Sequence, residues 1–183
     1  MSEEILVKQC SPTLAGIKTG NLFPCAYKDE KEMKESIRCW NRLLTKKGLR
    51  ILPVRYKNGR ALIYVYRPAR LNADLKHGIA QKILQERGYC TKTAESCVVH
   101  LVKRLCEYEE FPHEIGLFLG YPPEDVYGFI ENKADNCKCV GCWKVYGDAE
   151  AAQKTFAKFK KCTDVYWEQF TKGRTIEHLT VIA

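Results

Sequence analysis

Residues Leu49–Arg67 read LRILPVRYKNGRALIYVYR and predict the β-sheet around which the chain folds. The strands Leu49–Tyr56 and Arg60–Arg67 flank an Asn-Gly pair, and this pair between two apolar runs is a strong hairpin signal. The second strand is apolar on both faces, so we expect it at the centre of the sheet. Pro53 lacks the N–H that a ladder requires, so we expect the first strand at an edge or with a bulge.

Helical periodicity predicts most of the remaining structure. Asp29 and Gly48 have the residue types that begin and end a helix, and Asp148 is a plausible N-cap for a long C-terminal helix. Predicted helices cover residues 29–47, 71–88, 93–107 and 149–173. We therefore predict α+β architecture: one compact, mostly helical domain over residues 1–183. Its small, largely antiparallel sheet would contain the 49–67 hairpin and a strand at 141–146.

Length and composition suit an ordinary globular protein. The chain has 183 residues, of which 45% are hydrophobic, enough for a core of its own. No apolar run approaches the ~20 residues of a membrane-spanning helix. The N-terminus MSEEILVK lacks a basic region followed by an apolar stretch, which argues against a signal peptide and for the cytoplasm.

The net charge of +8 is unevenly distributed. Residues 106–132 hold seven acidic residues and no Lys or Arg, which leaves 15 acidic and 30 basic residues elsewhere. The basic residues are spread along every predicted helix, as expected for solvated faces. Residues 113–132 also resemble a helix-turn-helix, but the acids of the second helix would face DNA phosphates without compensation. We do not expect nucleic-acid binding through this segment.

The segment Phe111–Asn132, FPHEIGLFLGYPPEDVYGFIEN, predicts two short helices around a Gly-Tyr-Pro-Pro corner. Together with CSPTLAGIKTG at Cys10–Gly20, GCWKVYGD at Gly141–Asp148 and KCT at Lys161–Thr163, it resembles a family of uncharacterised proteins of anaerobic bacteria. That family is classed as a domain of unknown function. The resemblance covers nearly the whole chain and implies no activity.

Ten cysteines are many for a protein of this size. Without export they are not expected to form a disulfide framework, so metal ligation, redox chemistry or burial must account for them. Those in or beside amphipathic helices fit burial as small hydrophobic residues: Cys39, Cys90, Cys97 and Cys106. Four others form a candidate zinc or iron–sulfur site: Cys137, Cys139, Cys142 and Cys162. Their spacing is not a standard one, and incidental thiols in a turn are the favoured alternative.

Cys10, His113 and Glu114 form a candidate catalytic group. Pro112 at the first helical position would place His113 and Glu114 in the first turn, where the helix N-terminus favours a neutral imidazole. Such an imidazole could act as a base for a Cys10 thiolate. We expect His113 to face a concave pocket lined partly by residues 10–21. The alternative is structural, with Glu114 stabilising the helix dipole and His113 near the cap.

The residues around Lys18 form a candidate ligand-binding loop. Lys18, Thr19 and Asn21 lie among small polar and glycine residues that could contact an anion, although an ordinary turn explains the same composition. The pattern lacks the spacing of a phosphate-binding P-loop.

Three functions are therefore open. The first is a protein that binds a small ligand or metal, with a redox-linked role as one variant, near Cys10, Lys18, His113 and Glu114. The second is a thiol-dependent enzyme with Cys10 as nucleophile and His113 as base. The third is a non-catalytic partner-binding module that uses the acidic 107–131 corner. The sequence leaves open whether the protein is an enzyme, and it does not identify a protein partner.

Overall fold

A computed structural model describes residues 1–107 and 111–182. Its helices are α1 (Glu3–Leu14), α2 (Glu30–Leu44), α3 (Pro68–Asp74), α4 (Gly78–Glu86), α5 (Ala94–Glu107), α6 (Ile115–Phe118), α7 (Pro123–Glu131), α8 (Ala149–Thr171) and α9 (Ile176–Leu179). Its strands are β1 (Gly20–Ala26), β2 (Arg50–Lys57), β3 (Arg60–Tyr66), β4 (Cys139–Val140) and β5 (Lys144–Val145). The prediction of a mostly helical α+β fold is confirmed.

The chain divides into two compact units. The first unit comprises Met1–Ala69 and Lys161–Ala183, and the second comprises Arg70–Lys160. The prediction that residues 1–183 form one domain stays a prediction. Within the described residues, no helix combines the length and the apolar character needed to cross a membrane.

The first unit contains an antiparallel sheet with the order β1-β3-β2. The hairpin is confirmed, with β3 in the centre and β2 at an edge, where the register shifts between Pro53 and Arg55. The third strand of this sheet is β1, which the sequence analysis did not identify. Its Pro24 cannot donate a ladder hydrogen bond, but β1 also lies at an edge of the sheet, where proline is tolerated.

Helix α2 begins and ends as the sequence indicates. The Asp29 side chain accepts hydrogen bonds from the backbone N–H groups of Lys31 at 2.6 Å and Glu32 at 3.4 Å. A short 3₁₀ turn follows the helix, and Gly48 ends it with a left-handed φ of 75°. The apolar face of α2 buries Met33, Ile37 and Leu44 in the core of the first unit, alongside the sheet and α1.

Arg67 joins distant segments of the first unit. Its side chain is 2% exposed, and its guanidinium donates to four backbone carbonyls. The acceptors are Thr13 O at 2.7 Å, Leu14 O at 2.7 Å, Lys47 O at 3.1 Å and Val181 O at 2.8 Å. The guanidinium therefore connects the end of α1, the turn after α2 and the C-terminal tail.

The second unit departs from the sequence analysis in two helical regions. The predicted 71–88 helix is two helices, α3 and α4, separated by a turn in which Lys76 N donates to Ala73 O and His77 N donates to Asp74 O. Pro112–Glu114 form a turn that precedes α6, because Ile115 N donates to Pro112 O at 3.0 Å. The expectation that Pro112 begins a helix is therefore wrong, whereas Pro123 does begin α7.

The predicted strand 141–146 differs in extent and in partner. Within this segment only Lys144–Val145 forms a β-strand. It pairs with Cys139–Val140 in a separate two-stranded sheet. The residues between them form the turn, so the pairing is local. The long helix α8 follows, and Asp148 is confirmed as its cap, since Oδ1 accepts from Glu150 N at 2.9 Å and Ala151 N at 3.0 Å.

Candidate functional site

The second unit contains an apolar pocket of about 250 Å³. It is bounded by the turn before α6, by α6 and α7, and by the β4–β5 hairpin. Its lining residues are Phe111, Pro112, His113, Ile115, Gly116, Tyr121, Asp125, Val126, Phe129, Trp143 and Lys144. All of the described lining residues thus come from segments 111–129 and 143–144.

A close approach of α6 and α7 shapes one side of the pocket. A Cβ atom on Gly116 would lie 2.7 Å from Cγ2 of Val126 and 3.0 Å from Cδ2 of Tyr121, so a larger residue would require these side chains to shift. Gly120 adopts a left-handed φ of 75° in the corner between them. Tyr121 then turns back, and its N–H donates to Gly116 O at 2.9 Å.

Asp125 holds the β4–β5 hairpin against α7. Its side chain is 3% exposed. Oδ2 accepts from the indole Nε1 of Trp143 at 2.7 Å, and Oδ1 accepts from the backbone N–H groups of Tyr146 and Gly147, each at 2.7 Å. Three short hydrogen bonds to the carboxyl oxygens compensate for its burial. They also fix the orientation of the Trp143 ring.

Aromatic rings form much of the pocket wall. Tyr121 stacks on Trp143 with a centroid distance of 4.8 Å, and Phe156 packs edge-on against Trp143 with a centroid distance of 4.5 Å. His113 packs edge-on against Phe129 at 5.1 Å. Burial of the Tyr121 phenol raises its pKa to about 12, and the nearby Cys142 adds to this effect.

Lys144 supplies a cation at the pocket. Its Nζ donates to Ala134 O at 2.7 Å and lies 6.0 Å from the centroid of the Phe129 ring. The loop that presents this carbonyl is strained, since Lys133, Ala134 and Asn136 all adopt positive φ angles of 49°, 68° and 57°. Such conformations are costly for residues other than glycine, and they concentrate at functional sites.

A second buried carboxylate lies behind the pocket. Glu114 is fully buried; its Oε1 accepts from Tyr89 OH at 2.9 Å and lies 3.2 Å from Nε of Arg104. Burial, followed by the charge and hydrogen bond of Glu114, raises the pKa of Tyr89. Glu114 thus contacts Tyr89 and Arg104 in the interior of the second unit, and its burial gives it a different environment from its exposed neighbour His113.

His113 is exposed, yet it also lines the pocket. The expectation that His113 faces a pocket and is not a freely exposed side chain stays a prediction. The first unit contains Cys10 and Lys18, and the expectation that residues 10–21 form part of the same site stays a prediction.

Cys10 lies in the core of the first unit with no exposed surface. Burial raises the pKa of its thiol, and the charge of Lys18 offsets this only in part. The thiol is consequently protonated at ordinary pH, which is unfavourable for a nucleophile. Lys18 and Thr19 are also buried, and Asn21 accepts a hydrogen bond from the Thr13 hydroxyl at 2.7 Å. The ligand-binding role of this loop stays a prediction.

The proposed cysteine site gains no support from side-chain placement. Within residues 1–107 and 111–182, no group of three or more His, Cys, Asp or Glu side chains is arranged to hold a metal ion. Cys137, Cys139 and Cys142 belong to the second unit, and Cys162 belongs to the first. Zinc or iron binding by these cysteines stays a prediction.

The acidic corner is partly internal. Glu114 and Asp125 are buried, whereas Glu107, Glu124 and Glu131 are exposed. Glu109 and Glu110 lie outside the described residues. The second unit as a whole has 13 basic and 13 acidic residues, and the first has 17 basic and 9 acidic residues, so the net charge of +8 lies in the first unit.

Several residues of the pocket were not identified as site residues from the sequence: Tyr121, Asp125, Phe129, Trp143 and Lys144. A usable signal did exist. The motifs at 111–132 and 141–148 were both recognised, and the fold brings them together as the lining of one pocket. Two motifs that are distant in sequence and line the same pocket are expected if both contribute to one site.

Comparison with known proteins gives a family and no activity. No curated protein matches the chain significantly, and no solved structure does. The model of a family described as "Protein of unknown function (DUF3793)" matches residues 6–180, and the chain belongs to that family.

Proposed function

We propose that this protein binds a small aromatic molecule in the pocket of its second unit. The observation that carries the proposal is the lining itself, in which four aromatic side chains surround an apolar space: Phe111, Tyr121, Phe129 and Trp143. Apolar pockets with a few fixed polar groups are the usual form of small-molecule sites.

The size of the pocket limits its occupant. A cavity of roughly 150 Å³ holds a benzene molecule. A space of about 250 Å³ therefore suits one substituted ring or two fused rings. Phe111 is 45% exposed at the mouth, so a ligand of this size has a route from solvent.

The pocket is also organised before a ligand arrives. The Asp125 carboxylate fixes the Trp143 indole, and Tyr121 is stacked against the same ring. Binding therefore does not have to order these side chains, and preorganisation of this kind increases affinity.

The chemistry of the lining favours binding over turnover. Among the described residues that line the pocket, none is a Cys, Ser or Thr. The Asp125 oxygens are engaged by three N–H donors. The Cys10 thiol, which a thiol-dependent enzyme would use, is buried and protonated in the first unit.

The test is an NMR titration of ¹⁵N-labelled protein with 2-naphthamide, a neutral two-ring probe. We expect the Trp143 Nε1–H resonance to shift saturably, with a Kd of roughly 0.1–1 mM for a ligand of this size. Trp40 and Trp167 lie in the first unit, and their indole resonances serve as internal controls.

A pocket-filling variant makes the test specific. Ile115 is a half-buried lining residue, so Ile115→Trp should weaken binding at least about tenfold, or by ~1.4 kcal/mol. Val99 is 70% exposed on α5 and does not line the pocket, so Val99→Trp is the matched control and should bind normally. No saturable shift in the wild-type protein, or equal binding by the Ile115→Trp variant, would contradict the proposal.

A further inference from the structure

The charged groups of the pocket are unequally compensated. Asp125 is the acidic residue of the described lining, and hydrogen bonds from three N–H donors surround its two oxygens. Lys144 has a carbonyl as hydrogen-bond acceptor and, within the described part of the chain, no carboxylate close enough for an ion pair. A ligand would therefore meet an ammonium group that has no carboxylate partner within residues 1–107 and 111–182, and a carboxylate whose oxygens are already hydrogen-bonded.

The ammonium group is held at the pocket by two contacts. Lys144 belongs to β5, and the bond to Ala134 O uses one of its three N–H donors. Two donors are left for a ligand. The Phe129 ring, 6.0 Å from Nζ, keeps the ammonium beside an apolar wall, where a charge interaction is screened less than in open solvent.

His113 adds a second basic side chain to the same pocket. Its ring rests edge-on against Phe129 at the exposed side, so a ring nitrogen can donate to a ligand group that projects from the mouth. The two basic residues and the aromatic wall thus lie around one space.

We propose that the ligand is an aromatic carboxylate whose ring occupies the apolar pocket and whose anionic group contacts Lys144. This proposal rests on the proposed function and adds the charge of the ligand. A cationic aromatic ligand would be repelled by the ammonium of Lys144, and it would find the Asp125 oxygens engaged. A neutral ligand would leave the ammonium without an anionic partner in a partly apolar setting.

The experiment compares 2-naphthoate with 2-naphthamide, which have nearly the same shape and differ in charge. Isothermal titration calorimetry at low ionic strength should give a Kd for naphthoate that is about three- to tenfold lower than the Kd for naphthamide. Lys144→Met should abolish this preference. Lys144→Arg keeps the charge and should retain most of the preference.

Lys138 provides a matched control. It lies in the same hairpin segment, and its Nζ also donates to a backbone carbonyl, that of Gly147 at 2.6 Å, but it does not line the pocket. Lys138→Met should therefore keep the preference for naphthoate. Circular dichroism of each variant confirms that the fold is intact.

The outcomes separate the two proposals. Suppose that naphthamide binds the wild-type protein and that Ile115→Trp weakens this binding, but that naphthoate binds no more tightly than naphthamide. The proposed charge of the ligand is then wrong, and the proposed function stands. A preference that survives in Lys144→Met, or is lost in Lys138→Met, also overturns the role of Lys144. If neither probe binds the wild-type pocket, the proposed function fails, and the assignment of the ligand fails with it.

Discussion

The indole Nε1 of Trp143 donates to Oδ2 of the buried Asp125 at 2.7 Å, and this bond joins the two sequence motifs that line the pocket. The Oδ1 atom of the same carboxylate receives two backbone N–H groups from the end of the hairpin. One carboxylate thus determines both the position of the β4–β5 hairpin and the orientation of an aromatic wall.

Asp125→Asn should destabilise the protein by about 2–4 kcal/mol, because the Asn side chain cannot accept on both sides. If the oxygen of the Asn side chain accepts from Tyr146 and Gly147, the amide N–H groups face the indole N–H of Trp143. Two donors then face each other, and the hydrogen bond to Trp143 is lost. Chemical denaturation would measure this loss. Glu124→Gln changes an exposed neighbour on α7 and should cost less than about 0.5 kcal/mol. Equal stabilities of the two variants would contradict the role given to Asp125.

Arg67→Lys should destabilise the protein by about 2–4 kcal/mol, since hydrogen bonds from a charged donor to buried carbonyls would be lost. An ammonium group is a single centre and cannot reach the four carbonyls that the planar guanidinium connects. The exposed Arg60→Lys is the matched control, and urea denaturation of both variants tests the difference. Wild-type stability of Arg67→Lys would show that the carbonyl contacts contribute little.

Thiol alkylation should divide the cysteines by burial. Iodoacetamide reacts with the thiolate, and burial raises the pKa of Cys10, Cys25 and Cys97. Peptide mass spectrometry of the native protein should show early modification at the exposed thiols: Cys39, Cys90, Cys106 and Cys142. The three buried thiols should react at comparable rates only after denaturation. Rapid native alkylation of Cys10 would restore the hypothesis of a thiol-dependent enzyme.

Stability should fall between about pH 10 and pH 12 in part because of Tyr121. Below about pH 10 the Tyr121 phenol is protonated in both the folded and the unfolded state. The unfolded phenol ionises near pH ~10, whereas the folded phenol has a pKa of about 12, so rising pH favours the unfolded state in between. The wild-type stability should therefore decline more steeply than that of Tyr121→Phe across this window. Tyr127→Phe removes an exposed phenol from α7 and serves as the control; parallel pH profiles for wild type and Tyr121→Phe would contradict the assignment.

Local sequence signals predicted the parts of the fold that are formed locally. The Asn-Gly turn identified the hairpin, and Pro53 correctly indicated an edge strand with an irregular register. Strand β1 was missed because Pro24 opposes strand formation unless an edge position is available, and that position depends on pairing with the distant β3.

The pocket was only partly predictable for a similar reason. His113 and Glu114 are adjacent, and the sequence analysis treated them as one group, but the turn before α6 leaves His113 exposed and buries Glu114. Asp125 entered the sequence analysis only as one of the acidic residues of the 107–131 corner. Its hydrogen-bond partners lie 18 to 22 residues further along the chain, so its burial follows from tertiary packing that no local pattern encodes.

The measurement that tests the central claim most directly is a crystal structure of the protein in complex with 2-naphthoate. The account predicts that the naphthalene rings lie between the Phe129 and Trp143 side chains. It also predicts that a carboxylate oxygen lies within about 3.2 Å of the Lys144 Nζ. Naphthoate bound outside this pocket, or bound inside it with the carboxylate directed away from Lys144, would contradict the account.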